Sequence, residues 1–316
     1  MKAGKVSDTI LSRAVLKPVN TVRTTQVERL DIGQDAGGIK LGDMELLTAS
    51  ACGYMPLIKA VNNIYAAGGV PLGVSDCIVM NEEAREIRLR EVIAGLTRQV
   101  AVTGVPVTGG HTTVSGSVSA PVVTVTAAGV RKQKRAAIAP GQSIIMTGYI
   151  GLSGVRQLID RYSDRAGEVY SRDYIAEAYG SDEELYIGNI VNILRENNIS
   201  CYMHDVSEGG ILGALWDMCE YGHTGLEVDI RSIQVKQEII EICELFNINP
   251  YELESMGCLL MTSQQDCDII DILNNHNIEA CVIGRITKGN QRILRNRDEE
   301  RFLELPKQDA LYGIDE

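Results

Sequence analysis

Cys201-Tyr202-Met203-His204-Asp205-Val206-Ser207-Glu208-Gly209-Gly210-Ile211-Leu212 is the stretch on which the fold turns. Residues 201–203 form a short apolar run that reads as a strand. Ile211, Leu212, Leu215, Met218 and Cys219 then recur at helical spacing, and Gly222 stands where a C′ glycine closes a helix. Residues 204–210 are therefore a strand-to-helix turn. Asp205 and Glu208 have the spacing of a capping box. Gly209 and Gly210 lack a Cβ, so a ligand or another backbone can come close there. Free N–H groups at a helix start favour an anion. Taken alone, these residues are better read as a well-capped helix behind a tight turn. What favours a ligand is a second glycine pair of similar style far upstream, Gly109-Gly110-His111-Thr112-Thr113.

Working outward, the chain of 316 residues is long enough for about two domains. Residues 44–52 read as a strand, 56–67 as a helix with Pro56 in its first turn, and 72–80 as a strand. A helical stripe follows over 87–102, then a short strand over 105–108 running into Gly109-Gly110, and a long β-branched strand over 120–130. This order predicts an α/β (or α+β) layered sheet. The basic run Arg131-Lys132-Gln133-Lys134-Arg135, followed by Ala139-Pro140-Gly141, reads as a solvated surface connection. It places a domain boundary between 1–138 and 139–316. In the second half, strands are expected near 143–147, 201–203, 225–229, 257–262 and 279–285. Helices are expected near 153–162, 183–197, 211–221, 235–246 and 264–275.

Composition narrows the function. Acidic residues outnumber basic ones by 42 to 30, for a net charge of −12. That argues against nucleic acid as a partner, because phosphate backbones need a basic face. A small phosphorylated ligand needs only local N–H groups, a metal or a few cations. No apolar run is long enough to span a bilayer, and no signal-peptide core is present, so no membrane partner and a cytoplasmic location are expected. The eight cysteines form no Cys-x-x-Cys pair and read as free thiols. The four histidines lack zinc-ligand spacing.

Four stretches have the composition of ligand loops. They are residues 31–38, where a carboxylate flanked by glycines suits a hard cation such as Mg2+ or makes a plain turn, residues 61–71, with adjacent amides Asn62 and Asn63 on an apolar helix, residues 109–113, and residues 204–210. No Walker loop, Gly-x-Ser-x-Gly elbow or Rossmann fingerprint occurs.

Taken in order, these loops resemble the aminoimidazole ribonucleotide (AIR) synthetase superfamily. Residues 61–71 look like its helix carrying Val-Asn-Asp and ending in Met-Gly-Ala-x-Pro. Residues 109–112 look like its Gly-Gly-(His/Asp/Glu)-Thr loop. Residues 204–210 look like its His-Asp-x-(Ser/Thr)-x-Gly-Gly loop, and Ala139-Pro140-Gly141-Gln142 with 144–148 looks like the start of its second domain. The resemblance is greatest to the AIR synthase-related, hydrogenase-maturation carbamoyl dehydratase-like branch. That dehydratase carries a cysteine at its extreme C-terminus, whereas this sequence ends Tyr312-Gly313-Ile314-Asp315-Glu316.

The resemblance implies a two-domain fold. An N-terminal ATP-binding and dimerisation domain would form a barrel across a homodimer, beside a C-terminal α/β domain, with nucleotide near the interdomain cleft. It implies ATP bound through Mg2+, activation of a small acceptor by phosphoryl transfer, and an ATP-dependent ligase, lyase or phosphotransferase type of activity. Carried over residue by residue, Asp35 holds the metal. Thr48-Ala49-Ser50 stands where the family has Thr-x-Asp, and Asn62-Asn63 where it has Asn-Asp, so Ser50 and Asn63 are neutral, weaker metal ligands. Asn63, Gly109, Gly110, His111 and Thr112 line the phosphate or substrate region. Asp205, Ser207, Gly209 and Gly210 form the second-domain wall. The alternative is a non-catalytic homologue that binds a nucleotide or phosphate and has lost metal carboxylates.

Overall fold

The computed structural model describes residues 3–304 and 308–314. The chain forms two compact units. The first comprises Thr24–Glu28 and Asp35–Gln133. The second takes in the N-terminal stretch through Arg23, Arg29–Gln34 and everything described from Lys134 onward, so it is discontinuous in sequence.

The first unit is one five-stranded sheet with two helices. Strands β1 (Gly37–Leu41), β2 (Met44–Cys52), β3 (Gly69–Met80), β4 (Val107–Val114) and β5 (Val122–Arg131) lie in the order β1-β2-β5-β3-β4. All pairs are antiparallel except β3 with β4. A parallel pair needs a long crossover, and helix α2 (Glu86–Thr103) lies between the two strands in sequence. Helix α1 (Pro56–Ala66) starts on Pro56 and buries Leu57, Ile58, Val61 and Ile64 completely. It packs on the face of the sheet that carries Leu47. A Cβ on Gly129, the cross-strand partner of Leu47, would stand 2.6 Å from Cγ2 of Ile64. The first turn of α1 is capped from α2: Oε1 of Gln99 accepts the N–H groups of Leu57 at 3.0 Å and Ile58 at 3.3 Å. Strand alternation sends Ser50, Ser75 and Cys77 to the opposite, exposed face.

Two expectations are corrected here. Gly109 and Gly110 do not form a loop after a short strand. Strand β4 runs straight through them, because β3 supplies a parallel partner for each residue, with Asp76 opposite Gly110 and Cys77 opposite His111. The basic run 131–135 is not simply solvated. Arg131 bonds to Glu28 at 2.9 Å, Glu45 at 2.8 Å and the carbonyl of Ala67 at 2.7 Å. Within the second unit, Arg135 lies 4.3 Å over the Tyr202 ring and donates to the carbonyl of Met203 at 2.6 Å. Of the run's four cations, Lys132 and Lys134 are exposed and Arg131 and Arg135 are half-buried.

The second unit holds a seven-stranded sheet. Its strands are β6 (Ser143–Thr147), β7 (Tyr202–Asp205), β8 (Gly225–Asp229), β9 (Leu259–Ser263), β10 (Ala280–Thr287), β11 (Arg292–Asn296) and β12 (Glu299–Phe302). They lie in the order β12-β11-β8-β10-β6-β9-β7, with β8 and β11 the parallel pair. Helix α3 (Gly210–Gly222) buries Ile211, Leu215, Met218 and Cys219 against Met146, Tyr202, Val228 and Leu260. Each unit is thus a mixed sheet with helices, an α/β two-domain fold. The single helix expected over 183–197 is broken into a 3-10 turn, Asp182–Leu185, and a helix Gly188–Glu196, because Ser181 and Glu184 close a capping box around the turn. The helices Ser163–Val169 and Arg172–Tyr179 and the hairpin of β11 and β12 had no reading in the sequence.

Candidate functional site

In the first unit, Asp35 sits half-buried immediately before β1. Ser50 lies on the exposed face of β2, its hydroxyl 2.8 Å from that of Thr126 on β5. Asn63 lies on α1, on the other side of the same sheet. The sheet therefore separates Ser50 from Asn63, and the three expected metal ligands are not gathered by one face. The period-two alternation of β2 is the cause, since Ser50 is one residue out of phase with the helix-facing Leu47 and Ala49. Among the described residues, no group of three or more His, Cys, Asp or Glu side chains is arranged to hold a metal ion. A hard cation such as Mg2+ takes few protein ligands when phosphates and water supply the rest, so one carboxylate fits an ion that arrives with its nucleotide.

Gly109, Gly110, His111 and Thr112 are all exposed on β4, at the edge of the sheet. Gly110 has a structural reason to be glycine. A Cβ there would stand 2.5 Å from Oδ1 of Asp76 on β3. Asp76 is half-buried, and burial pushes its carboxyl above the ordinary range. This carboxylate was missed in the sequence. Its signal was faint: one acid inside the apolar run Leu72–Met80, at a position that alternation places on the same face as Val74 and Ile78.

In the second unit, β7 carries His204 and Asp205 to the end of the sheet, where both are buried, Asp205 at 2% exposure. Pairing with β9 sets Asp205 opposite Leu259, and the N–H of Val206 donates to the carbonyl of Cys258 at 3.0 Å. The chain then turns through Ser207, whose carbonyl accepts the N–H of Gly210 at 3.1 Å. Gly209 and Gly210 both have positive φ, +88° and +62°, which strains any residue with a Cβ. A Cβ on Gly210 would lie 2.6 Å from the carbonyl oxygen of Tyr251, so this glycine admits another backbone. Gly209 has only the Cα of Gly213 near it, at 3.7 Å, and is the open member of the pair.

The expected capping box of Asp205 and Glu208 is not the cap of α3. Gly209 is the N-cap residue and makes no side-chain bond. Its N–H donates instead to Oδ2 of Asp309 at 2.7 Å, a residue 100 positions further on. The same carboxylate accepts the N–H of Leu311 at 2.9 Å, starting a 3-10 turn, Ala310–Tyr312. Burial, with Glu254 and Glu208 adding repulsion, pushes the Asp309 carboxyl up to about 6 despite these two bonds. Lys5 pairs with Asp217 and Trp216 donates to Asp8 at 3.0 Å, which lays the N-terminal stretch along the middle of α3. These groups line a partly open pocket beside Gly209 and Glu208.

The two sheets and the turn before α3 define the class, a two-domain α/β protein with a glycine turn at a helix start in its second unit. Residues 37–131 match the N-terminal domain, and residues 139–295 the C-terminal domain, of the AIR synthase related proteins. The chain belongs to this family. It is 21% identical over 313 residues to a hydrogenase expression/formation protein of Methanocaldococcus jannaschii, a match covering 92% of this chain and 90% of that protein. It is 23% identical over 215 residues to carbamoyl dehydratase HypE of Rhodobacter capsulatus, across 66% of this chain and 61% of that one. Its fold is similar to that of the hydrogenase maturation protein HypE solved in complex with ATP, with a TM-score of 0.71, 17% identity, and coverage of 98% and 97% of the two chains. No described helix is long and apolar enough to cross a membrane.

Proposed function

We propose that this protein is an ATP-dependent enzyme that activates a small acceptor by phosphoryl transfer, in a maturation-related role. The observation that carries this reading is family membership across both units together with the turn into α3, where two positive-φ glycines present a helix start. Mg2+ enters with the triphosphate. Asp35 is its protein carboxylate, Asn63 contributes weakly and Asp76 adds a carboxylate beside Gly110, while Ser50, across the sheet from Asn63, is left out of this site. Gly109, Gly110, His111 and Thr112 line the phosphate or acceptor region of the first unit. Asp205, Ser207, Gly209 and Gly210 offer the second unit's anion-facing wall. The protein works as a homodimer in a soluble compartment, the cytoplasm. The open face of the first-unit sheet, with Ser50 and Ser75 exposed, favours a second copy of the chain as its cover.

A second reading has its own support. Ser50 is tied to a neutral hydroxyl and no three-ligand cluster is present among the described residues, which favours a nucleotide-binding protein without turnover. Thermal unfolding with ATP, with and without Mg2+, followed by a phosphate-release assay, separates the two. A nucleotide at 100 times its dissociation constant adds about 2.7 kcal/mol of stability. A Mg2+-dependent shift with phosphate release supports the enzyme, and a Mg2+-independent shift without release supports the binding protein. No shift with any nucleotide rejects both. Asp35→Asn should abolish the Mg2+ dependence, and unchanged Mg2+-dependent turnover in that variant removes Asp35 from the metal.

A further inference from the structure

We infer that Asp309 is an internal anion that occupies the start of α3 in place of a ligand, so that the segment carrying it is a strap that must lift for an anionic group to reach Gly209. The inference rests on the anion-facing role proposed for that turn.

Three observations support the strap. First, the open N–H of the turn is already taken. Gly209 is the N-cap, its neighbour Gly210 is packed under the Tyr251–Leu253 backbone, and the N–H of Gly209 donates to Asp309 at 2.7 Å. A carboxylate at a helix start satisfies the same donors and the same helix dipole that a phosphate or substrate carboxylate would. Second, the segment combines one buried anchor with an exposed end. Leu311 is its buried apolar anchor, while Tyr312 and Gly313 are exposed. Third, a second strap lies across the first. Ideal Cβ positions at Gly4 fall 2.7 Å from the Tyr312 ring and 2.8 Å from Oε1 of Glu208, so the stretch around Gly4 passes tightly between them. Lys5 and Asp8 pin that stretch to Asp217 and Trp216. The charged groups facing Asp309 are Glu208 and Glu254, with Lys5, Asp8 and Asp217 around the pocket. Carboxylates predominate, so the closed arrangement is self-repulsive and poised to open.

The apparent affinity of a ligand is its intrinsic affinity reduced by the open fraction. A strap closed nine-tenths of the time weakens binding about tenfold. The test uses the full chain with Mg2+-ATP and, separately, inorganic phosphate as probes. Dissociation constants are measured for wild type, Asp309→Ala and Leu311→Ala, and hydrogen exchange is followed over residues 308–314. Leu311→Ala loosens the strap without touching the turn, so it guards against a folding defect in the first variant. The expected result is tighter binding in both variants, by about three- to tenfold, and faster exchange over 308–314 when wild type binds. Binding by wild type with equal or weaker affinity in both variants overturns the strap and leaves the nucleotide reading intact. Binding by none of the three proteins overturns the nucleotide reading, and the strap with it.

Discussion

At the scale of the residue, Asp309 and Gly210 show what a helix start can demand. The ordinary carboxyl of Asp309 titrates near 3.9, and its closed, buried form near 6. Between those values the closed form binds more protons than the open one. Lowering the pH from about 7.5 to 5 therefore favours closure, and raising it favours opening. Amide exchange at Gly209–Gly213, corrected for intrinsic rate, should slow as the pH falls through 6. In Asp309→Asn, which keeps an acceptor without the charge, that change should be absent. Gly210→Ala forces a Cβ into positive φ and against the backbone of Tyr251. It should cost about 2–4 kcal/mol, read by urea unfolding. The sequence pattern made both glycines visible and also suggested their two roles, a ligand or another backbone. It could not say which glycine has which role. It also put the cap at Asp205, four residues ahead of the N-cap Gly209, when the capping carboxylate comes from Asp309. No local pattern encodes a partner so distant.

At the scale of the element, helix α1 is legible almost to the residue, because Pro56 fixes its start and Gly68-Gly69 its end. Its cap is not. Met55 precedes it with no side-chain bond, and Gln99 of α2 supplies the missing acceptor from a buried position. Gln99→Leu keeps the volume and removes the acceptor, leaving two buried N–H groups without a partner. A loss of about 1–3 kcal/mol is expected in chemical denaturation, with little change for the exposed control Thr97→Ala. Strand β4 shows the opposite failure. Glycine pairs argue for a turn, yet here a neighbouring strand pairs with both, and the carboxylate of Asp76 accounts for Gly110. Tertiary pairing overrode the local preference.

At the scale of the molecule, the order of elements carried the two-sheet α/β architecture, since alternating strand and helix patterns leave few ways to cover a sheet. The allocation of residues between units was not legible. Gly33 belongs to the second unit because a Cβ on it would stand 2.3 Å from the carbonyl of Asp217, a contact no composition can signal. The proposed homodimer is also tested at this scale. Thr126→Arg places a charge in the hydroxyl row of the exposed sheet face. Sedimentation should show a dimer for wild type and a monomer for the variant, with the unfolding midpoint of each unit retained. A wild-type monomer at micromolar concentration removes the dimer from the proposal.

The second unit is interrupted in sequence by the first, and its earliest contacts join residues more than 200 positions apart, as in Lys5 with Asp217. On the ribosome, the sheet of the first unit is complete once β5 has emerged, while the stretch ahead of it must wait for α3. The start of α3 in turn waits for Asp309. Folding therefore proceeds from the inside outward: the inserted unit folds early, and the flanking one closes only once Asp309 has emerged. Chains ending at residue 133 and released from the ribosome should already protect the first unit from protease, while released chains ending at residue 300 should still leave the turn at Gly209 open to exchange.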